Sequence, residues 1–185
     1  MVMFISSILL GVMGEVFIST WRTQLIQEAR TQLQQSSRSS VDDLTTTARQ
    51  AIGVVDSLTV NNVTYTSGAN SVVLKLATID MSGNLTDLND YIIFRVDPNN
   101  AAHLQRLISA DPSSSRSTQA TPIDLTTELS SLTIQYYDAS GVELTPEITP
   151  LLTCASVRFT VATTRLVNNQ TIVSQLTDLA DLRNR

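Results

Sequence analysis

Residues 1–21, MVMFISSILLGVMGEVFISTW, hold a single charged side chain, Glu15, in a run otherwise dominated by Met, Val, Ile, Leu and Phe. The run is about the twenty residues that a helix needs to cross the hydrocarbon core of a bilayer. Trp21 followed by Arg22 fits the aromatic belt and the charge step where a helix leaves lipid. A cleaved secretory signal would present a similar apolar stretch. Against that reading, no basic segment precedes the run, no small-x-small step follows it, and the helical pattern continues past its end. The run is therefore expected to stay in the working protein.

Past Trp21 the chain reads RTQLIQEARTQLQQSSRSSVDDLTTTARQAIGVVDSL, residues 22–58, with neither Pro nor Gly before Gly53. Leu25, Ala29, Leu33, Val41, Leu44, Ala48, Ile52 and Val55 recur at helical steps, with Gln, Arg, Asp and Ser opposite them. Residues 36–40 are poor helix formers and are expected to bend or locally unwind the rod, after which Val41 restores the phase. A helix over residues 2–54 would be about 80 Å long at 1.5 Å per residue, while a small domain is only about 30 Å across. One body cannot sheathe that rod, so the first half must be buried in lipid or among neighbouring helices. Three parts follow: an apolar membrane or assembly half over 1–21, an amphipathic half over 22–54, and a β-rich body over 55–185.

From Leu58 the periodicity changes from helical to alternating. Leu58, Thr59 and Val60 face Val63, Thr64, Tyr65 and Thr66 across Asn61 and Asn62, which reads as a hairpin. Residues 71–80 (SVVLKLATID) read as a strand with Val72, Leu74 and Leu76 inward and Val73 and Lys75 on the other side. Residues 81–84 then turn the chain into a strand over 90–96 (DYIIFRV). Residues 103–108 alternate again, 111–122 (DPSSSRSTQATP) read as a polar loop, and 132–137 (LTIQYY) and 154–164 (CASVRFTVATT) as strands. Asn168 and Asn169 mark another turn, and 171–182 stay ambiguous. A long helix followed by strands is an α+β layout, with an antiparallel sheet packed on the helix's distal half.

Composition narrows the function classes. The net charge is −5, and the chain has one Lys, Lys75, against eleven Arg. That balance argues against nucleic-acid partners, whose phosphates are bound by clustered cations. Ser and Thr make up about a quarter of the residues, so hydroxyls keep the surface wet. Cys154 is the only cysteine and His103 the only histidine, which rules out an intrachain disulfide and the common Cys/His metal clusters. One histidine leaves one candidate base for a nucleophile triad, and it lies in no recognisable motif; no cofactor is expected and a non-enzyme is the reading. Cys154 reads as a small core residue. Asp80, Asn84, Asp87 and Asp90 lie close in sequence and could ligate Ca²⁺, but their spacing departs from the regular calcium loop and a plain turn is the favoured reading.

The residues also carry a resemblance. An uncharged apolar helix running into an amphipathic helix and then an antiparallel sheet resembles type IV pilins and type II secretion pseudopilins. The text QLQQSSRSSVDDLTTTARQA (residues 32–51) is similar to the helix of W-type minor pilins and J-type minor pseudopilins. So are residues 71–97 (SVVLKLATIDMSGNLTDLNDYIIFRVD), 103–116 (HLQRLISADPSSSR) and the final DLRNR (181–185). The family's basic leader and fifth-position glutamate have no counterpart here, and about half a dozen mature residues are expected to precede Met1. Glu15 lies too deep to take that glutamate's place.

The resemblance implies assembly rather than catalysis. The leader is cut at the inner membrane, the new N-terminus is methylated, and subunits pass from the bilayer into a pilus or pseudopilus with their bodies outside the cytoplasm. The implied partners are other pilin or pseudopilin subunits. The expected assembly interface is Phe4, Ile5, Ile8, Leu9, Gly11, Val12, Glu15, Val16, Phe17 and Trp21, with Gly11 permitting close backbone approach. The alternative is a membrane-anchored extracytoplasmic binding or adhesion module that does not polymerise.

Overall fold

A computed structural model of the chain describes residues 2–146 and 149–183, with side chains from residue 11 onward. One unbroken helix, α1, runs Val2–Gln50, about 73 Å at 1.5 Å per residue. Eleven strands follow among the described residues: β1 Ala51–Val55, β2 Ser57–Val60, β3 Val63–Thr66, β4 Ser71–Ile79, β5 Leu85–Val96, β6 Leu104–Ser109, β7 Ile123–Thr126, β8 Leu129–Tyr137, β9 Glu143–Leu144, β10 Ser156–Val167 and β11 Gln170–Asp181. They form not one sheet but a five-stranded sheet in the order β1-β4-β5-β6-β7, a four-stranded sheet in the order β11-β10-β8-β9, and the separate hairpin β2-β3. All pairings are antiparallel.

The helix ends earlier than its periodicity predicts. Ile52 and Val55, assigned by spacing to the helical stripe, lie in β1, which pairs with β4 through a bulge between Ala51 and Gly53. Ile52, Val54 and Val55 are β-branched and Gly53 disfavours helix, so a sheet edge within reach wins over one more helical turn. The local unwinding expected at residues 36–40 is absent: the helix is continuous there. Ser37 donates from Oγ to the Leu33 carbonyl at 2.7 Å and meets Ser174 Oγ at 2.9 Å. Ser36 donates to Thr126 Oγ1 at 2.9 Å. The serines are thus the small polar surface against which the strands close, and tertiary contact overrides their weak propensity.

Three apolar clusters hold the body. The largest joins Val41, Leu44 and Ala48 of α1 to Val72, Leu74, Leu76 and Phe94 of one sheet and Ile134, Val157, Phe159 and Val161 of the other. Higher on the helix, Ala29 and Leu33 meet Ile172, with Ile26 and Val167 alongside. On the far face of the five-stranded sheet, Val73, Ile93 and Leu107 are roofed by Leu58, Val60 and Tyr65 of the β2-β3 hairpin. Val73 is therefore buried rather than on an open face: β4 has its apolar residues covered on both sides, which is why its text reads almost continuously hydrophobic. Arg106 ties β6 to the helix through both carboxylate oxygens of Asp43, at 3.0 and 2.8 Å, and Arg165 pairs with Glu128.

Candidate functional site

The feature that stands apart is the N-terminal half of α1. From Leu25 and Ile26 onward one face of the helix is covered by the body, while every described residue from Gly11 to Gln24 is exposed. Val12, Met13, Val16, Phe17, Ile18 and Trp21 lie bare, Phe17 at 72% of its accessible surface. A methyl group placed on Gly11 or Gly14 would meet nothing within 4 Å, so no packing among the described residues explains either glycine. Of the expected interface, Gly11, Val12, Glu15, Val16, Phe17 and Trp21 are thus on open helix surface, and Phe4, Ile5, Ile8 and Leu9 have side chains outside the described residues. Among the described residues no helix is long and apolar enough to cross a membrane. The first ten residues of the apolar run have side chains outside that set.

A notch of about 800 Å³ separates this half of the helix from the tip of the β10-β11 hairpin, and Glu15, Ile18, Arg22 and Ile26 line it opposite Asn168 and Asn169. Neither Glu15 nor Arg22 has an ion-pair partner among the described residues. A bare, mostly apolar helical surface of this extent is what a segment buried by lipid or by other chains presents.

The acidic loop resolves into two separate structural roles. Asp80 closes the β4-β5 turn: its carboxylate accepts from the Ser82 and Asn84 amides, both at 2.8 Å, and Gly83 takes a φ of +85°. The Asn84 amide, ahead of its other partners, holds the Asp80 carboxyl below the ordinary carboxylate value. Asp87 is exposed. Asp90, completely sealed from solvent, is turned inward as a latch for the 111–122 loop. It accepts from Thr78 Oγ1 at 3.0 Å, the Asp111 amide at 2.9 Å, Ser114 Oγ at 2.8 Å and Arg116 at 2.6 Å. Burial pushes its pKa upward, but these donors together outweigh burial and leave the carboxyl below its ordinary value. No group of three or more His, Cys, Asp or Glu that could hold a metal is present among the described residues.

The lone histidine, the lone cysteine and a buried tyrosine each have hydrogen-bond partners within the body. His103 bonds through Nδ1 to Asp124 at 2.9 Å at the body's rim. Cys154 is buried in the main core, its thiol donates to the Ser156 carbonyl at 3.3 Å, and burial pushes its pKa up to about 11. Tyr136, buried beside it, donates to the Gly68 and Ser71 carbonyls at 2.9 and 3.0 Å, and desolvation raises its phenol well above the usual range. The inward turn of Asp90 was not readable from spacing. Its signal lay in the alternation of β5, where Asp90 falls in phase with Ile92 and Phe94 on the core side.

A long helix bare over residues 11–24 and packed on antiparallel sheets beyond them defines a pseudopilin-like α+β fold. Among solved structures the chain is similar to a chain of the GspK-GspI-GspJ complex from the type 2 secretion system of enterotoxigenic Escherichia coli, with a TM-score of 0.51 and 15% identity over 82% of this chain and 97% of that one. No protein-family model and no curated protein matches the chain.

Proposed function

We propose that the chain is a minor pseudopilin or minor pilin, a structural subunit that assembles with related subunits through its N-terminal helix. The observation that carries the reading is the sharp division of α1: bare from Gly11 to Gln24, with Val12, Met13, Val16, Phe17, Ile18 and Trp21 open, and covered on one face by the chain's own sheets from Leu25 onward. Before assembly the bare half sits in the inner membrane with the body on the extracytoplasmic side. On assembly it exchanges lipid for neighbouring helices, and burial of residues such as Val12, Val16 and Phe17 stabilises the contact by about 25 cal/mol per Å² of apolar surface. The similarity of the fold to a chain of a secretion-system complex supports assembly over a solitary anchor. Glu15, costly in an apolar setting, is expected to find a cation on a neighbouring subunit.

Cross-linking of the full chain in its host membrane tests this. Cysteines at Val12, Val16 or Phe17 are expected to give ladders of dimers and higher species, or discrete hetero-adducts with other pilin-like subunits. A chain that stays in the membrane fraction and cross-links to nothing is a monomeric anchor, and a chain recovered as a soluble monomer with residues 1–21 intact refutes both anchor and subunit.

A further inference from the structure

We propose that the free edge of β11, with the flank of α1 beside it, is a receptor groove for an extended peptide segment of another polypeptide, which adds to the four-stranded sheet as a fifth strand. The groove lies on the body, away from the bare end of the helix. Its volume is about 550 Å³; one wall is Gln34, Arg38 and Asp42 of α1, and the other is the edge strand at Ser174, Leu176 and Asp178.

The backbone of β11 sets the chemistry. β11 is the outermost strand, and its register with β10 is unbroken from Gln170 to Asp181. Three contacts fix which of its amides face outward. The Thr164 amide donates to the Glu128 carbonyl, on the side of β10 away from β11, so its cross-strand partner Val173 belongs to a pair that makes no ladder bond. Thr164 Oγ1 donates to the Ile172 carbonyl, which therefore points toward β10. The Leu179 amide is bonded by the neighbouring Asp178 carboxylate at 2.9 Å, a cap used where the ladder supplies no partner. Residues 171, 173, 175 and 177 thus direct N–H and C=O groups into the groove, and no bond to them from outside the sheet is present among the described residues. An edge of this length is ordinarily blunted by charged side chains, Pro or a bulge. β11 has no Pro and no bulge, and its charges, Asp178 and Asp181, lie at its C-terminal end, which leaves residues 170–177 unguarded.

An extended main chain is the complement of such a row, and recognition by strand addition between a helix and a sheet edge needs no further machinery. The occupant is not the β11 of a second copy. Adjacent strands are about 4.8 Å apart, whereas packed helices need 8–10 Å between axes, and each copy carries α1 directly over its β11. The groove therefore takes a segment that brings no helix with it. Since Arg38 and Asp42 lie 3.9 Å apart, and Arg49 lies 3.5 Å from Asp178, the walls carry little unpaired charge, which selects a segment uncharged at its centre.

The probe is a synthetic peptide copying residues 170–179, which supplies the strand without the helix, added to the full chain in detergent micelles. Amide hydrogen exchange is read residue by residue. Addition of the peptide is expected to slow Val173, Gln175 and Thr177 about tenfold or more and to leave Ile172, Ser174 and Leu176, already bonded to β10, unchanged. Gln175→Pro, which removes an outward N–H and no ladder bond, is expected to abolish the protection. Arg38→Trp fills the groove from the helix side, leaves β11 untouched, and is expected to abolish it too. Protection without the odd–even pattern, protection that survives both substitutions, or none at millimolar peptide overturns the proposal. None of these outcomes bears on assembly through residues 11–21.

Discussion

Asp90 shows how one buried carboxylate can organise a long polar loop. With Thr78, Ser114, Arg116 and the Asp111 amide all donating to it, removal of its charge leaves Arg116 half-buried without its partner. Asp90→Asn is expected to destabilise the body by about 2–4 kcal/mol in urea unfolding at neutral pH. The pH dependence has a defined sign. The folded pKa lies below the ordinary value of 3.8, so the unfolded chain takes up the proton first. The contribution is complete above about pH 3.8 and drains away as pH falls through the folded value. The variant should therefore show a shallower loss of stability in acid than the parent, and identical acid limbs would remove Asp90 from the account. Ser40 is the opposite case: its hydroxyl is buried in the helix–sheet contact with no hydrogen-bond partner. Ser40→Ala is expected to raise stability by about 1 kcal/mol in the same measurement, because an unsatisfied polar atom is removed with little change in volume.

Among the elements, the turns were the most legible. Asn61 and Asn62 at φ +51° and +64°, and Asn168 and Asn169 at +50° and +61°, occupy left-handed backbone that Asn tolerates better than other residues with side chains. Asn169→Gly is expected to match or slightly raise the melting temperature, while Asn169→Val should cost about 1–2 kcal/mol, since a β-branched residue is strained there. Equal melting of the two variants would show that this turn does not set the β10-β11 register. β2, β3 and β10, which border such turns, could be placed to within a few residues because alternation and turn chemistry agree, whereas β11, on the far side of Asn168 and Asn169, stayed ambiguous. What stayed hidden depends on tertiary pairing. Ile52 and Val55 fit the helical stripe as well as they fit β1, and the neighbouring β4 decides between them. The split of the strands into two sheets left no local trace, and the strand at Ile123–Thr126 is too short to announce itself. The exposure of residues 11–24 was legible for the opposite reason. A run with Glu15 as its single charge up to Trp21 needs no tertiary contact to be recognised, only a length that one small body cannot cover.

At the scale of the whole molecule the described helix has a bare stretch and a covered stretch, and the boundary falls near Leu25. Residues that join α1 to the strands begin with Ile26 against Ile172 and Val167, so the body owes nothing to the side chains of residues 11–24. Removal of residues 1–22 is accordingly expected to give a soluble monomer whose unfolding free energy lies within about 1 kcal/mol of the full chain's in detergent. Cys154 reports on the same point without denaturant. Its thiol is buried and its pKa is pushed up to about 11, so at pH 8 a thiol reagent reaches it only when the core opens. The labelling rate should be the same in the truncated and full chains if the bare helix is purely an assembly element. A truncated chain that labels many times faster would mean that the N-terminal half stabilises the sheets from a distance, and the division of α1 into an outward-facing half and a core half would fail with it.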